Sequence, residues 1–275
     1  MKNPRFHNFE GRFREKQRLI PIIKRVVGPV LNQIFPNWLE FLDSNCSLRV
    51  PYHNWVHTAY GLIWLVKENA PINAVLAYLG HDAKHNGNKD QSPENISADT
   101  LQKALGHDNL RNLIMQTVFP YVSNINGAPY EWSQKPAKNL DEAWIRLADT
   151  YRPFVGLNPG LGVLETTPAD IFGFECLGLD HELYEANGNT TFAQWIINGQ
   201  ANFFPDQINL GMNAGVFGSI IDSVDALARV EYIRSWLKDI IANENKFVAL
   251  HELHRFAQQD ITLIEFVNKR TELGL

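Results

Sequence analysis

The amino-acid sequence predicts an all-α protein, and three observations support this. Apolar residues recur at three- and four-residue steps along most of the 275-residue chain, which is the spacing of one helix face. Long runs of alternating apolar and polar residues between turns are absent, so no sheet is expected. Hydrophobic residues make up 45% of the chain and charged residues 20%, which is typical of a globular protein and excludes a disordered one.

Proline and cap residues divide this pattern into helices. Pro51 and Pro71 each open a predicted helix, and Asn139 with Glu142 three residues later resembles a capping box. Residues 121–138 and 152–190 are rich in loop-forming residues and are predicted to be irregular. The predicted helices cover residues 27–42 with a break, 51–68, 71–86, 98–105, 110–119, 140–151, 191–204, 219–242 and 245–269.

The chain begins with a basic segment. Residues 1–30 contain eight Lys or Arg residues and two acids, whereas residues 31–275 contain seventeen and twenty-eight. Such asymmetry fits an arm for nucleic acid or a membrane surface, or else a helix packed on an acidic body, and we favour the last. We expect a basic helical segment over 1–30 and a single all-helical domain over 31–275.

Neither a membrane span nor a disulfide framework is predicted. No stretch approaches the roughly 20 apolar residues that cross a bilayer, and no apolar core of a secretory signal follows the basic residues. The two cysteines, Cys46 and Cys176, lie far apart and form no metal-finger spacing. The expected location is therefore the cytoplasm, with both thiols as small core residues.

The first chemical motif is a pair of histidines, His53 and His57, within Tyr-His-Asn-Trp-Val-His. A separation of four residues would place both on one face of the helix predicted from Pro51. Taken alone, such a pair is more often structural or exposed than functional.

Two further motifs place carboxylates in apolar helical patterns. His81 and Asp82 continue apolar lines of their helix and are expected to point inward, where a carboxylate is costly unless it is paired or binds metal. Asp149 lies in a similar pattern on a later helix. One interpretation is a hydrogen-bonded Asp–His pair in a polar core. Combined with the histidine pair, however, the motifs supply the mixed nitrogen and oxygen ligands that divalent cations accept.

The order HNxxH, HDxxHxG and Ala-Asp resembles the HD superfamily of metal-dependent phosphohydrolases. The Tyr-His-Asn-x-x-His form is especially similar to the catalytic domain of class I cyclic nucleotide phosphodiesterases. The resemblance covers about residues 50–205 and implies an HD-domain, phosphodiesterase-like bundle of helices with a central metal site. It implies these roles: His57, His81, Asp82 and Asp149 as metal ligands, with Asp82 bridging to a second metal, His53 as the general acid, and His85 as a supporting residue that holds metal-bound water.

Weaker matches extend the resemblance toward the substrate. Glu94 resembles a supporting glutamate of the family, although Ile96-Ser97 replaces the histidine pair that follows it there. Gln200 and Phe203 resemble the residues that hold a purine base. Arg152 stands where the family has a base-contacting asparagine, and its guanidinium, which only donates hydrogen bonds, would suit a second phosphate, a carboxylate or a carbonyl-rich base.

We therefore expect an enzyme that hydrolyses a phosphoester, with a (cyclic) nucleotide phosphodiester as the favoured small-molecule substrate. Two divalent ions, chosen from Mn, Mg, Fe, Co and Zn, are the expected cofactors, and no nucleic acid partner is expected. The alternatives are an HD-type di-iron oxygenase, which uses a similar ligand set, and a non-catalytic metal- or nucleotide-binding module.

Overall fold

A computed structural model describes residues 10–50, 53–84, 93–106, 108–117, 121–122, 131–132, 135–150, 152, 167, 169–170, 172–175, 192–194, 196–197, 201, 204–220, 226–257 and 259–275. Helices dominate these residues, which confirms the predicted all-α class. The longer helices are α1 (Glu10–Val26), α2 (Gly28–Leu31), α3 (Trp38–Asn45), α4 (Trp55–Lys67), α5 (Ile72–Gly80), α6 (Pro93–Leu105), α7 (Arg111–Ile114), α8 (Leu140–Thr150), α9 (Phe204–Asn213), α10 (Ala226–Ile241), α11 (Glu244–Ala257) and α12 (Leu263–Glu272). Further helical turns, which are not numbered, occupy Met115–Thr117, Phe192–Gln194 and residues 172–175.

The segment predicted as a loop between α7 and α8 contains one extended pairing. The two-residue strands β1 (Tyr121–Val122) and β2 (Glu131–Trp132) are antiparallel, with Tyr121 opposite Trp132. A pairing of two residues is too short to produce the alternating pattern by which strands are recognised in a sequence. None of the described helices is both long enough and apolar enough to cross a membrane.

The core is built around α4 and α5. Helix α1 packs on one side of α4, α5 packs on another, and α8 contacts both α4 and α5. Gly61 of α4 allows the close approach of α5, because a Cβ at this position would lie 2.1 Å from Cε1 of Tyr78. The buried rings of Tyr60 and Tyr78 fill the space beside these helices. This packing brings the histidines and carboxylates of three helices together.

The basic N-terminal helix pairs with acidic side chains. The ion pairs of α1 are Arg12–Asp260 at 2.5 Å, Arg14–Glu265 at 2.8 Å, Lys16–Asp43 at 2.8 Å and the short Arg18–Glu15 contact. Glu15 also accepts hydrogen bonds from the Tyr60 hydroxyl at 2.5 Å and from the backbone of Leu263 at 3.2 Å. Three of these ion pairs join α1 to carboxylates of distant residues, Asp43, Asp260 and Glu265.

The single helix predicted over residues 245–269 is wrong. Helix α11 ends at Ala257, and α12 begins at Leu263 behind a capping box made by Thr262 and Glu265. Asp260, between the two helices, has a φ of 62°. Its carboxylate accepts hydrogen bonds from the backbone of Gly11 at 3.0 Å and of Arg12 at 3.2 Å. A contact across the whole length of the chain therefore interrupts a locally helical pattern.

Candidate metal centre

Local backbone chemistry fixes the position of His57 in the first turn of α4. The side-chain oxygen of Asn54, the residue before the helix, accepts hydrogen bonds from the backbone N–H of Val56 at 2.8 Å and of His57 at 3.2 Å. Asn54 has extended backbone angles, so it is the N-cap residue, and α4 begins at Trp55. The predicted helix start at Pro51 is therefore wrong.

His53 precedes this cap and does not lie on the helix. The prediction that His53 and His57 share a helix face is wrong for this reason, because a helix periodicity cannot be extended through an extended N-cap residue. The two rings nevertheless lie close together, with centroids 6.3 Å apart. His53 is half-buried, whereas His57 is buried. The structure thus places His53 at the edge of the group to which His57 belongs.

The His81-Asp82 motif lies in the turn that follows α5. Helix α5 ends at Gly80, earlier than predicted, and His81 is its C-cap residue. The His81 Nδ1–H donates a hydrogen bond of 2.6 Å to the carbonyl of Tyr78, because a carbonyl can only accept. This bond leaves Nε2 of His81 facing the carboxylates of Asp82 at 3.2 Å and Asp149 at 3.5 Å.

The structure brings together the four residues that the resemblance implied as metal ligands. Ligand atoms of His57, His81 and Asp149 lie within 4.8 Å of one another. The carboxylate of Asp82 lies 3.2 Å from Nε2 of His81 and 3.8 Å from Nε2 of His57. We call these four residues the His–Asp cluster. Asp149 comes from α8, so three elements separated along the chain contribute.

Three of the four residues of the His–Asp cluster are buried, and the fourth is partly exposed. His57, His81 and Asp82 are 2–4% exposed, whereas the side chain of Asp149 is 22% exposed. Burial of a carboxylate is costly unless a cation or hydrogen-bond donors compensate its charge. Asp149 is therefore the cluster residue in contact with solvent.

The electrostatics of the cluster favour a positive charge at its centre. Burial by itself would lower the pKa of His81, but the carboxylates of Asp82 and Asp149 raise it to about 10. Burial would likewise raise the pKa of Asp82, but His81, His53 and His57 hold it well below its usual value. Negative charge that attracts a proton this strongly also attracts a metal ion.

Two buried atoms of the cluster have no hydrogen-bond partner among the described residues. They are Nε2 of His81 and Oδ2 of Asp82, which lie 3.2 Å apart without the alignment of a hydrogen bond. A buried polar atom without a partner is a position where a water molecule or an ion can bind. The donor set of imidazole nitrogens and carboxylate oxygens suits Zn, Fe, Mn or Co, so the residues fit a divalent metal.

Glu175 and Arg152 form a buried layer behind His57. Oε2 of Glu175 lies 3.0 Å from Nδ1 of His57, and both carboxylate oxygens of Glu175 contact the guanidinium of Arg152. Arg152 is completely buried, which argues against the predicted contact of its side chain with a substrate. Its guanidinium pairs with the carboxylate of Glu175, and this pairing offsets the cost of burying the charge.

Sequence reasoning missed Glu175, although a signal was present. Glu175 follows Ile171-Phe172-Gly173-Phe174, and an acid in an apolar stretch was the same signal that identified Asp149. The prolines and glycines of residues 152–190 concealed it by indicating an irregular segment. Residues 172–175 are in fact helical.

The remaining predicted site residues are only partly described. Glu94 lies half-buried in the first turn of α6, whose Ser97 hydroxyl donates a hydrogen bond of 2.9 Å to the carbonyl of Ala83 in the turn after His81. His85, Gln200 and Phe203 lie outside the described residues.

Comparison with known proteins adds no relative. No protein-family model, curated protein or solved structure matches the chain.

Proposed function

We propose that the protein is a metal-dependent hydrolase that cleaves a phosphoester. The observation that carries this proposal is the His–Asp cluster, in which ligand atoms of His57, His81 and Asp149 lie within 4.8 Å of one another. Nε2 of His81 and Oδ2 of Asp82 have no hydrogen-bond partner among the described residues, and a shared metal ion would satisfy both.

The four cluster residues would hold the metal through two imidazole nitrogens and two carboxylates. A divalent ion at such a site lowers the pKa of a bound water toward neutrality and offsets charge on phosphoryl oxygens. The partly exposed carboxylate of Asp149 lies on the side by which a phosphoester would enter. The buried side chains of His57, His81 and Asp82 exclude water from the other sides.

His53 is the residue suited to protonate the leaving oxygen. It lies beside the cluster and is half-buried, so it can exchange protons with solvent and still face a bound substrate. An ordinary histidine pKa is close to neutral pH, which allows the ring to donate a proton in the transition state. The resemblance to class I phosphodiesterases supports a cyclic nucleotide as the phosphodiester.

The test is a metal-dependent hydrolysis assay. The purified protein is stripped with a chelator, reloaded with Mn, Mg, Co, Fe or Zn, and incubated with cyclic mono- and dinucleotides, nucleoside monophosphates and bis(p-nitrophenyl) phosphate. We expect at least one metal to restore hydrolysis in the wild type and in His251→Ala, an exposed histidine on α11, but not in His81→Ala.

Other results would contradict this function in distinct ways. Oxygen uptake with an organic substrate and no hydrolysis would favour the di-iron oxygenase. Stoichiometric binding of metal with no turnover of any substrate would favour a binding module. Hydrolysis that survives both chelation and His81→Ala would exclude the His–Asp cluster as the active site.

A further inference from the structure

The two ring nitrogens of His57 face different surroundings. Nε2 faces the His–Asp cluster, with Asp82 at 3.8 Å and the hydroxyl of Tyr78 at 3.2 Å. Nδ1 faces away from the cluster, toward Oε2 of Glu175 and Nη2 of Arg152, each at 3.0 Å. A neutral imidazole carries one proton, so the position of that proton decides whether Nε2 can bind a metal.

The contacts at Nδ1 alone do not decide this position. A carboxylate can only accept hydrogen bonds, so a hydrogen bond to Glu175 requires a proton on Nδ1. A guanidinium can only donate hydrogen bonds, so a hydrogen bond from Arg152 requires a lone pair on Nδ1. One nitrogen cannot satisfy both requirements.

Tyr78 decides the question from the other side of the ring. Its buried hydroxyl makes a single hydrogen bond among the described residues, to Nε2 of His57. A tyrosine hydroxyl carries its proton at neutral pH, so it needs an acceptor. Nε2 supplies that acceptor only if it carries the lone pair. The proton of His57 then lies on Nδ1 and is donated to Glu175.

Arg152 keeps Glu175 able to accept this bond. The side chains of Arg152 and Glu175 are 0% and 4% exposed, and each carboxylate oxygen contacts one terminal nitrogen of the guanidinium. Such a paired arrangement allows a carboxylate to remain ionised in a buried position, where an isolated one would take up a proton and accept hydrogen bonds poorly.

The segment that carries Glu175 is itself fixed to the C-terminal helix. Asp170, five residues earlier, forms an ion pair of 2.5 Å with Arg270 of α12. A Cβ on Gly173 would lie 2.8 Å from the ring of Phe266 in the same helix, so the two elements are in close contact. The carboxylate of Glu175 is therefore held in place by tertiary packing and not only by its partner Arg152.

We propose that Glu175, held by Arg152, is a positioning residue that keeps the proton of His57 on Nδ1, so that the Nε2 lone pair, which accepts from Tyr78 in the metal-free protein, is available to a metal. This inference rests on the proposed metal centre and assigns the residues that orient one of its ligands. Carboxylates behind a ligating histidine usually contribute 10–100-fold in metal affinity.

The decisive variant is Glu175→Gln. A glutamine has one oxygen, which Arg152 is expected to retain, so the amide N–H₂ faces Nδ1 and the proton of His57 moves to Nε2. We expect the affinity for Zn²⁺, measured by competition with a fluorescent chelator, to fall by about 10–100-fold. In Glu175→Gln/Arg152→Met the amide is free to turn its oxygen toward His57, and part of the affinity should return.

Glu15→Gln is the matched control. Glu15 is, like Glu175, a buried glutamate that pairs with an arginine, but its second partner is the hydroxyl of Tyr60 and not His57. It should lose stability without a change in Zn²⁺ affinity. A loss of affinity equal to that of Glu175→Gln would mean that both changes act through general destabilisation, and would overturn the proposal.

A second measurement uses the wild-type protein, so it does not require that a variant of Glu175 fold. The nitrogen-15 shifts and ring-proton couplings of histidine-labelled, Zn²⁺-free wild type report which nitrogen of His57 carries the proton, with His57→Asn identifying its signals. A proton on Nδ1 is expected, and a proton on Nε2 would overturn the inference. If the wild type binds no Zn²⁺ or other divalent metal, the proposed metal centre fails, whereas unchanged Zn²⁺ affinity in Glu175→Gln refutes only the role of Glu175.

Discussion

Replacing Gly61 by alanine tests the packing that assembles the His–Asp cluster. The new Cβ would lie 2.1 Å from Cε1 and 2.3 Å from the hydroxyl oxygen of Tyr78. Ordinary carbon contacts are about 3.5–4.0 Å, so the ring must retreat by more than about 1 Å. The Tyr78 hydroxyl lies 3.2 Å from Nε2 of His57, and its ring stacks on His81 at 4.1 Å, so this movement breaks the hydrogen bond and loosens the stacking.

The expected cost follows from these contacts. Overpacking a core costs about 1–3 kcal/mol, and loss of the hydrogen bond adds about 1 kcal/mol. Alanine is favoured over glycine in a helix by about 0.5–1 kcal/mol, which offsets part of this. The net loss of unfolding free energy for Gly61→Ala should be about 1–3 kcal/mol, and for a chain of this size the Tm should fall by roughly 2–5 °C.

Urea unfolding and thermal melts of Gly61→Ala measure this effect, with Gly28→Ala as the matched control. Gly28 is also buried in a helix, but its Cβ would meet only Asn32 Nδ2 at an ordinary 3.5 Å. We expect Gly28→Ala to be neutral or slightly stabilising. The penalty of Gly61→Ala should shrink in a Tyr78→Ala background, where the opposing ring is absent. Equal stability of the two glycine variants would refute the close approach of α4 and α5.

Three further predictions concern the chemistry of the cluster. Asp82→Ala and Asp149→Ala should lose bound metal and hydrolytic activity together, and full metal stoichiometry by elemental analysis in both variants would contradict their role as ligands. His53→Ala should retain its metal but lose roughly 10²- to 10⁴-fold in kcat. The loss should be smaller for p-nitrophenolate esters, because their leaving group needs little protonation. Equal losses with good and poor leaving groups would make His53 structural. The pKa of His81 is raised from 6.5 to about 10, so a metal must displace its proton. Metal affinity should therefore rise from pH 6.5 toward pH 10, and calorimetry in two buffers should measure the released proton. In the stripped protein the same proton adds stability that is complete below pH 6.5 and is lost as the pH rises through about 10, and a melt series with the opposite trend would contradict this.

The sequence alone was sufficient for the helical class and for the residues that form the His–Asp cluster. Helical spacing is a local property that each segment carries in its own side chains, so α8 was predicted to within one residue at each end. The cap at Asn139 was predicted correctly, because its side chain accepts from the backbone of Glu142 at 2.9 Å, a contact between neighbours in the chain. Asp82 and Asp149 could be identified because an acid in an apolar pattern requires a partner.

Tertiary structure decided what local spacing could not. The start of α4 was missed although its signal was local: the Asn54 side chain caps the backbone of Val56 and His57, so the helix begins at Trp55, two residues after His53. The helix break near Asp260 depends on backbone N–H groups of Gly11 and Arg12, almost 250 residues away in the chain. No pattern within a short window contains such contacts.

The difference between local motifs and distant contacts also explains why the sequence identified the His–Asp cluster but not the Glu175–Arg152 pair behind it. The cluster residues belong to short motifs, so the sequence identified them before their distances were known. Glu175 acquires its role only because folding places it 3.0 Å from His57, which lies 118 residues earlier, and Arg152 becomes a buried partner of Glu175 instead of a substrate contact. A residue whose function consists in touching another distant residue is determined by the fold, because its own neighbours in the chain carry no information about that contact.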